Sequence, residues 1–360
     1  MSYDPFVRGP APVGVRGYEI IDEARDRKVP VEIWYPASDD FRGHDLDPES
    51  QDRYNAFEGA PNALQKAVRD ATPRDGELPL VAFSHGGFSH RRSGSELCTH
   101  LASHGYAVTA VDHMGGTMAD MMYDMQNPDA SERRTATAMS GELRPGDIRC
   151  AVDFIADGGA GALSEQIAAE RYGMTGISIG GWTTLALNER DPRIAASMPM
   201  VPAFGQTSLG DVSPGELNLG AWPHEIPVLL LAAGWDGIVR IDELHRLYRE
   251  LAQPKRMLVL CRGGHMHFGD GAAFRHEIMR QQFSQESMKT IGSDADFANA
   301  AKEMRPFAEH CPAEHGLDLV RGSGLAFFDD VLRDRTDARD FMKGDLVATF
   351  GAREIEVEEY

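Results

Sequence analysis

Three short stretches carry residue types that together can break an acyl bond. The first is Gly176-Ile177-Ser178-Ile179-Gly180-Gly181, which reads G-x-S-x-G between an apolar run and a helix-like run. That pattern describes a strand-to-helix turn that projects a serine hydroxyl, and it is so tight that only small residues fit beside it. A serine hydroxyl is a poor nucleophile until a base takes its proton, so Ser178 needs a histidine and an orienting carboxylate. The second stretch, Gly234-Trp235-Asp236-Gly237, follows the apolar run Pro227–Ala233. The third, Arg262-Gly263-Gly264-His265-Met266-His267, follows Met257–Cys261. Serine, acid and histidine therefore stand in the chain order that such an elbow requires.

Each role has a competitor. His265 is the favoured base because Gly263-Gly264 lets the loop bend toward Ser178, with His267 as the alternative. Asp236 competes with Asp242 and Glu243, which fall inside the next helix, and its plain structural role would be to cap a turn. The charge of a tetrahedral intermediate needs inward N–H donors. Ile179 offers one at the start of a helix. The second is expected from Ser84-His85-Gly86-Gly87-Phe88, where Gly87 is the first choice and Phe88 the next. His85 precedes Ser178 and reads as a brace for its own loop.

The surrounding pattern supplies elements to hold these loops. Strands are expected at Arg16–Ile21, Val29–Tyr35, Leu78–Phe83, Tyr106–Val111, Tyr172–Ser178, Ile194–Val201, Pro227–Ala233 and Met257–Cys261. Helices are expected at about 93–104, from Pro145 to Gly158, at Gly181–Asn188, at Ile241–Leu251 and, as the closing helix, at Leu319–Leu332. Such alternation implies an α/β fold with a mostly parallel sheet covered on both faces. Function then collects at the carboxyl ends of strands. The whole chain, 1–360, reads as one domain with insertions at about 36–78, 114–144 and 269–317. The first carries a possible helix at Ala63–Val68, and the last two are mostly helical candidate lids.

Net charge is −20, from 36 Lys+Arg against 56 Asp+Glu, which argues against nucleic acid or an anionic membrane as partner. The amino end lacks the basic and apolar regions of a leader, and no apolar run reaches membrane-spanning length. The four cysteines are widely spaced without a CxxC pair, which suggests reduced thiols and a cytoplasmic location.

On these residues the chain resembles the α/β-hydrolase family from about Val29 to Leu332. Within it the chain is most similar to platelet-activating-factor acetylhydrolase and dienelactone-hydrolase-like esterases. The resemblance is carried by Val31-Glu-Ile-Trp-Tyr-Pro-Ala37, Val81-Ala-Phe-Ser-His-Gly-Gly87, Leu101-Ala-Ser-His-Gly-Tyr-Ala-Val108, and His265 with Phe268 and Asp270. It implies a Ser178–Asp236–His265 triad, Gly87 and Ile179 as oxyanion donors, and an α/β-hydrolase fold. Dienelactone hydrolases proper use cysteine where this chain has Ser178.

The expected activity is hydrolysis of carboxylic esters through an acyl-enzyme, on a small-molecule ester, with no cofactor, no metal and no membrane anchor. Acyl transfer by the same residues and a non-catalytic binding protein on the same fold are the alternatives. Phe88, Trp235, Met121 and Met122 are candidate substrate contacts, the methionines either lining a pliable apolar pocket or sealing their segment to the core. Trp182 reads as core. No sequence signal sets an oligomeric state.

Overall fold

Alternating apolar residues near the amino end form a long antiparallel hairpin, β1 (Val13–Asp22) and β2 (Arg27–Pro36). The computed structural model describes residues 3–127, 141–207, 210–211, 213–220, 222–284 and 303–360. The strands that follow are β3 (Asp52–Asn55), β4 (Asn62–Gln65), β5 (Val68–Arg69), β6 (Leu78–Ser84), β7 (Ala107–Val111), β8 (Ile167–Ile177) and β9 (Ile194–Met200). After them come β10 (Gln206–Thr207), β11 (Gly210–Asp211), β12 (Val228–Ala233), β13 (Lys255–Leu260) and β14 (Val357–Glu359). The helices are α1 (Ser95–Ser103), α2 (Met118–Gln126), α3 (Leu143–Ala156), α4 (Ile179–Arg190) and α5 (Ile241–Glu250). The rest are α6 (Ala272–Ser284), α7 (Ala313–Arg333), α8 (Thr336–Lys343) and α9 (Leu346–Gly351).

Ten strands form one sheet in the order β14-β13-β12-β9-β8-β6-β7-β2-β1-β5. From β7 through β13 every neighbour is parallel, while β2 and β14 run antiparallel to theirs. The parallel strands are apolar on both faces because both faces are covered. Along β12, Leu229, Leu231 and Ala233 join one core, and Val228, Leu230 and Ala232 join another. The first core packs against Leu97 and Leu101 of α1 and Leu325 and Phe328 of α7. The opposite face is closed by Ile148, Val152 and Ile155 of α3 and by Leu244 and Leu247 of α5.

Three elements differ from the sequence reading. Residues 63–68 are not helical: β4 pairs with β3, and buried Gln65 joins Trp34 Nε1 at 2.8 Å and Asp52 Oδ2 at 2.6 Å. Those long-range bonds override a local spacing that suits a helix equally well. Helix α7 starts at Ala313 rather than Leu319, behind Pro312, and ends at Asp334 in a left-handed conformation. Nor does it close the fold. Helices α8 and α9 lead to β14, whose register on β13 extends the sheet to Glu359.

Of the second and third insertions, α2 and α6 are helical, and residues 128–140 and 285–302 lie outside the described residues. Among the described residues no helix is long and apolar enough to cross a membrane. All four cysteines are unpaired.

Candidate active site

The glycine loop, the elbow, the acid loop and the histidine loop follow the carboxyl ends of β6, β8, β12 and β13, on the same side of the parallel sheet. At the end of β8, Ser178 takes φ 58°, ψ −118°, a conformation that costs an ordinary side chain about 1–3 kcal/mol. Main-chain bonds hold it there: its N–H donates to Met200 O at 2.9 Å, and its carbonyl accepts from Ala203 N at 2.9 Å and Trp182 N at 3.0 Å. The flanking glycines are forced by contact. A Cβ on Gly176 would strike the Gly180 carbonyl, and one on Gly180 would strike the Ser84 carbonyl. Ile179 opens α4, so its amide is among those a helix leaves without an internal partner. Trp182 is fully buried, with Nε1 donating to Gly215 O at 3.0 Å.

The acid and base loops are stitched to one another. Gly234 N donates to Leu260 O and Trp235 N to Gly263 O, each at 2.9 Å. Asp236 Oδ1 accepts from Ile238 N at 2.8 Å and Val239 N at 2.9 Å, closing the turn before α5. Its other oxygen, Oδ2, stands 2.8 Å from His265 Nδ1. One carboxylate thus caps the turn and faces the imidazole. Asp242 instead pairs with Arg240 and Glu243 with Arg246, both on the solvent side of α5.

The two histidines have different surroundings. His267 Nδ1 accepts from Gly264 N at 3.0 Å, and Nε2 reaches Cys311 O at 3.0 Å, so main chain engages both nitrogens. Its ring is stacked on Phe307. For His265, Nδ1 faces Asp236, which leaves Nε2 as the nitrogen for proton exchange. The loop beyond is anchored by Asp270, whose carboxylate accepts from Ser95 Oγ at 2.6 Å and Glu96 N at 3.2 Å; burial pushes its pKa up to about 7.

The glycine loop after β6 runs beside the serine: a Cβ placed on Gly86 would lie 3.5 Å from Ser178 Cβ. Phe88 N donates to Gly116 O at 2.9 Å, so the second-choice oxyanion amide is already committed. His85 is fully buried, and burial holds its pKa well below 6.5. It accepts from His113 N at 3.1 Å through Nε2, and Nδ1 donates to Gly86 O at 2.6 Å. That is a bracing arrangement.

Met121 is buried and Met122 half-buried on α2, beyond a Thr117–Asp120 capping box. Phe88 is half-buried. The Trp235 ring lies 4.3 Å from Arg305 and 5.8 Å from the His310 ring centre. Among the described residues no group of three or more His, Cys, Asp or Glu is arranged to hold a metal ion.

Sequence reasoning missed a buried network behind the loop. Arg144 Nη1 donates to His85 O at 2.6 Å. His113 bridges Ser84 Oγ at 2.8 Å and Asp147 Oδ2 at 3.0 Å. The available signal was Arg144 and Asp147 sharing the helix face of Ile148, Ala151, Val152 and Ile155, a spacing that places charge where the rest is apolar.

These histidines also set an acid limit on stability. Desolvation, ahead of all other causes, lowers His267 and His113 from 6.5 to about 4. The unfolded chain therefore takes up protons that the folded chain refuses, and stability falls as pH drops from about 6.5 to about 4. Urea unfolding is expected to show a falling midpoint across that window; a flat midpoint from pH 7 to 4.5 contradicts it.

A family model described as platelet-activating factor acetylhydrolase, isoform II, matches residues 60–141, a span that holds the glycine loop but none of Ser178, Asp236 and His265. Cutinase est2 of Thermobifida alba is 26% identical over 190 residues, 52% of this chain and 52% of that protein. Cutinase est1 of the same organism is 27% identical over 141 residues, 39% of this chain and 40% of that one. The chain thus spans about half the length, or less, of these curated relatives. A ferulic acid esterase from Streptomyces cinnamoneus superposes with a TM-score of 0.63 at 23% identity, covering 91% of this chain and 92% of that one. Together with the strand order, that superposition gives this chain the α/β-hydrolase fold.

Proposed function

We propose, on the premise of the α/β-hydrolase fold, that this protein is a serine hydrolase of small carboxylic esters. The observation that carries the reading is Asp236 Oδ2 at 2.8 Å from His265 Nδ1, beyond the same carboxyl ends of the parallel strands as a serine in a positive-φ elbow. Matches to a cutinase, a ferulic acid esterase and an acetylhydrolase family support the same class.

In this mechanism His265 Nε2 takes the Ser178 proton as Oγ attacks the ester carbonyl. The oxyanion is met by the amides of Ile179 and Gly87. Collapse expels the alcohol, which receives the proton from His265, and leaves an acyl-Ser178. Water, deprotonated by the same imidazole, then releases the acid. Asp236 keeps the proton on Nδ1 and offsets the imidazolium charge. No cofactor enters. Phe88, next to Gly87 in the chain, and Met121, Met122 and Trp235 are proposed to contact the acyl or alcohol group. The four unpaired thiols fit a reducing, cytoplasmic setting.

A fluorophosphonate probe tests the reading. Labelling is expected on the Ser178 peptide, to be lost in His265→Ala and to persist in His267→Ala. Label on another residue, or the reverse order of the two histidine variants, overturns the assignment.

A further inference from the structure

A glycine–glycine peptide turns over at little cost, because neither residue has a side chain to oppose it. The Gly86–Gly87 peptide is such a unit, and it carries the N–H that the proposed oxyanion site needs. In a trans peptide the carbonyl oxygen and the amide hydrogen point in opposite directions. Whatever holds the Gly86 carbonyl on one side therefore aims the Gly87 N–H to the other.

Two buried groups hold that carbonyl. His85 Nδ1 donates to it at 2.6 Å and Arg144 Nη2 at 3.4 Å. Arg144 Nη1 also takes the preceding carbonyl, His85 O, at 2.6 Å. The Arg144 side chain is fully buried, and its Nε has no hydrogen-bond partner. Burying a cation is costly unless its donors are well used. Here they are spent on two successive main-chain carbonyls of one loop. The compensating charge is Asp147, one turn along α3, whose oxygens also serve Arg25, Arg27 and His113.

We propose that Arg144 is a positioning residue that locks the Gly86–Gly87 peptide so that the Gly87 N–H is presented beside Ser178, with His85 as the second clasp. The proposal deepens the esterase reading and rests on it. Without the lock the peptide turns, its carbonyl enters the site, and the oxyanion loses one donor and meets a repelling dipole. Substrate binding in the ground state has no such requirement, so the loss falls on kcat.

Wild type, Arg144→Met and Arg144→Lys are to be compared on p-nitrophenyl acetate and with a phenyl trifluoromethyl ketone, whose serine adduct carries an oxyanion. For Arg144→Met, kcat and ketone affinity are each expected to fall about 100-fold, with KM within about twofold, the scale of a lost oxyanion donor. Arg144→Lys keeps the cation and is expected to recover about tenfold of that loss. A folded Arg144→Met protein with wild-type kcat and ketone affinity overturns the proposal, as does a raised KM with unchanged kcat. Should thermal unfolding show that Arg144→Met does not fold, Arg144→Lys decides: about tenfold loss in kcat supports the lock, and wild-type kcat overturns it. Wild-type protein that neither turns over the ester nor takes fluorophosphonate on Ser178 counts against the esterase reading itself.

Discussion

Ser178→Ala is expected to lower kcat for p-nitrophenyl acetate by about 10⁴-fold or more while leaving KM and folding nearly unchanged. The size follows from what is removed. In the proposed mechanism no acyl-enzyme forms without Oγ, and only substrate binding and the proposed oxyanion amides remain to act on a direct attack by water. The fold survives because every bond that fixes residue 178 is made by main chain, to Met200, Ala203 and Trp182. Alanine has the same Cβ as serine, so the strain of φ 58° is neither added nor relieved. Unfolding free energy is expected to shift by less than about 0.5 kcal/mol, in line with changes that break no buried contact. Turnover within tenfold of wild type, in protein of wild-type stability, removes Ser178 as nucleophile.

The loops after β6, β12 and β13 were legible because each follows closely on an apolar run. Leu78–Phe83, Pro227–Ala233 and Met257–Cys261 are apolar on both faces, a pattern that a covered parallel strand demands. Gly176 and Gly180 were legible for a different reason: the elbow leaves no room for a Cβ, so the residue type itself records the contact.

What stayed hidden depends on partners far away in the chain. Ala63–Val68 has helical spacing, yet Gln65 is claimed by Trp34 and Asp52 across a hairpin. Gly263-Gly264 alone favours His265 over His267 in the sequence. The partners that separate their surroundings, Asp236 on one side and the Cys311 carbonyl on the other, lie 29 and 44 residues away and leave no local mark. The place of Arg144 on an apolar helix face hinted at burial, but its partners stayed hidden because its bonds go to carbonyl oxygens, which every residue has. The edge strand Val357–Glu359 is set by its register on β13, and so lay beyond any reading of its own residues.

Asp236→Asn carries the second large effect, and its geometry dictates how. In the native carboxylate, Oδ1 accepts two main-chain N–H groups, from Ile238 and Val239, and Oδ2 faces His265 Nδ1. An asparagine can satisfy those two donors only with its carbonyl oxygen, so its NH₂ must turn to the imidazole. That NH₂ donates, so Nδ1 becomes the acceptor and the ring proton moves to Nε2. Nε2 then has no lone pair with which to take the Ser178 proton. Loss of kcat is expected at about 10⁴-fold, with KM little changed, as the wrong tautomer produces in a triad of this type. Asp242→Asn is the control, because both its oxygens are spent on exposed Arg240, and wild-type kcat is expected there. If Asp236 only closes its turn, the same Asp236→Asn substitution keeps the two capping bonds and leaves kcat within tenfold of wild type. The two roles therefore separate in a single variant, through kcat measured alongside the denaturant midpoint.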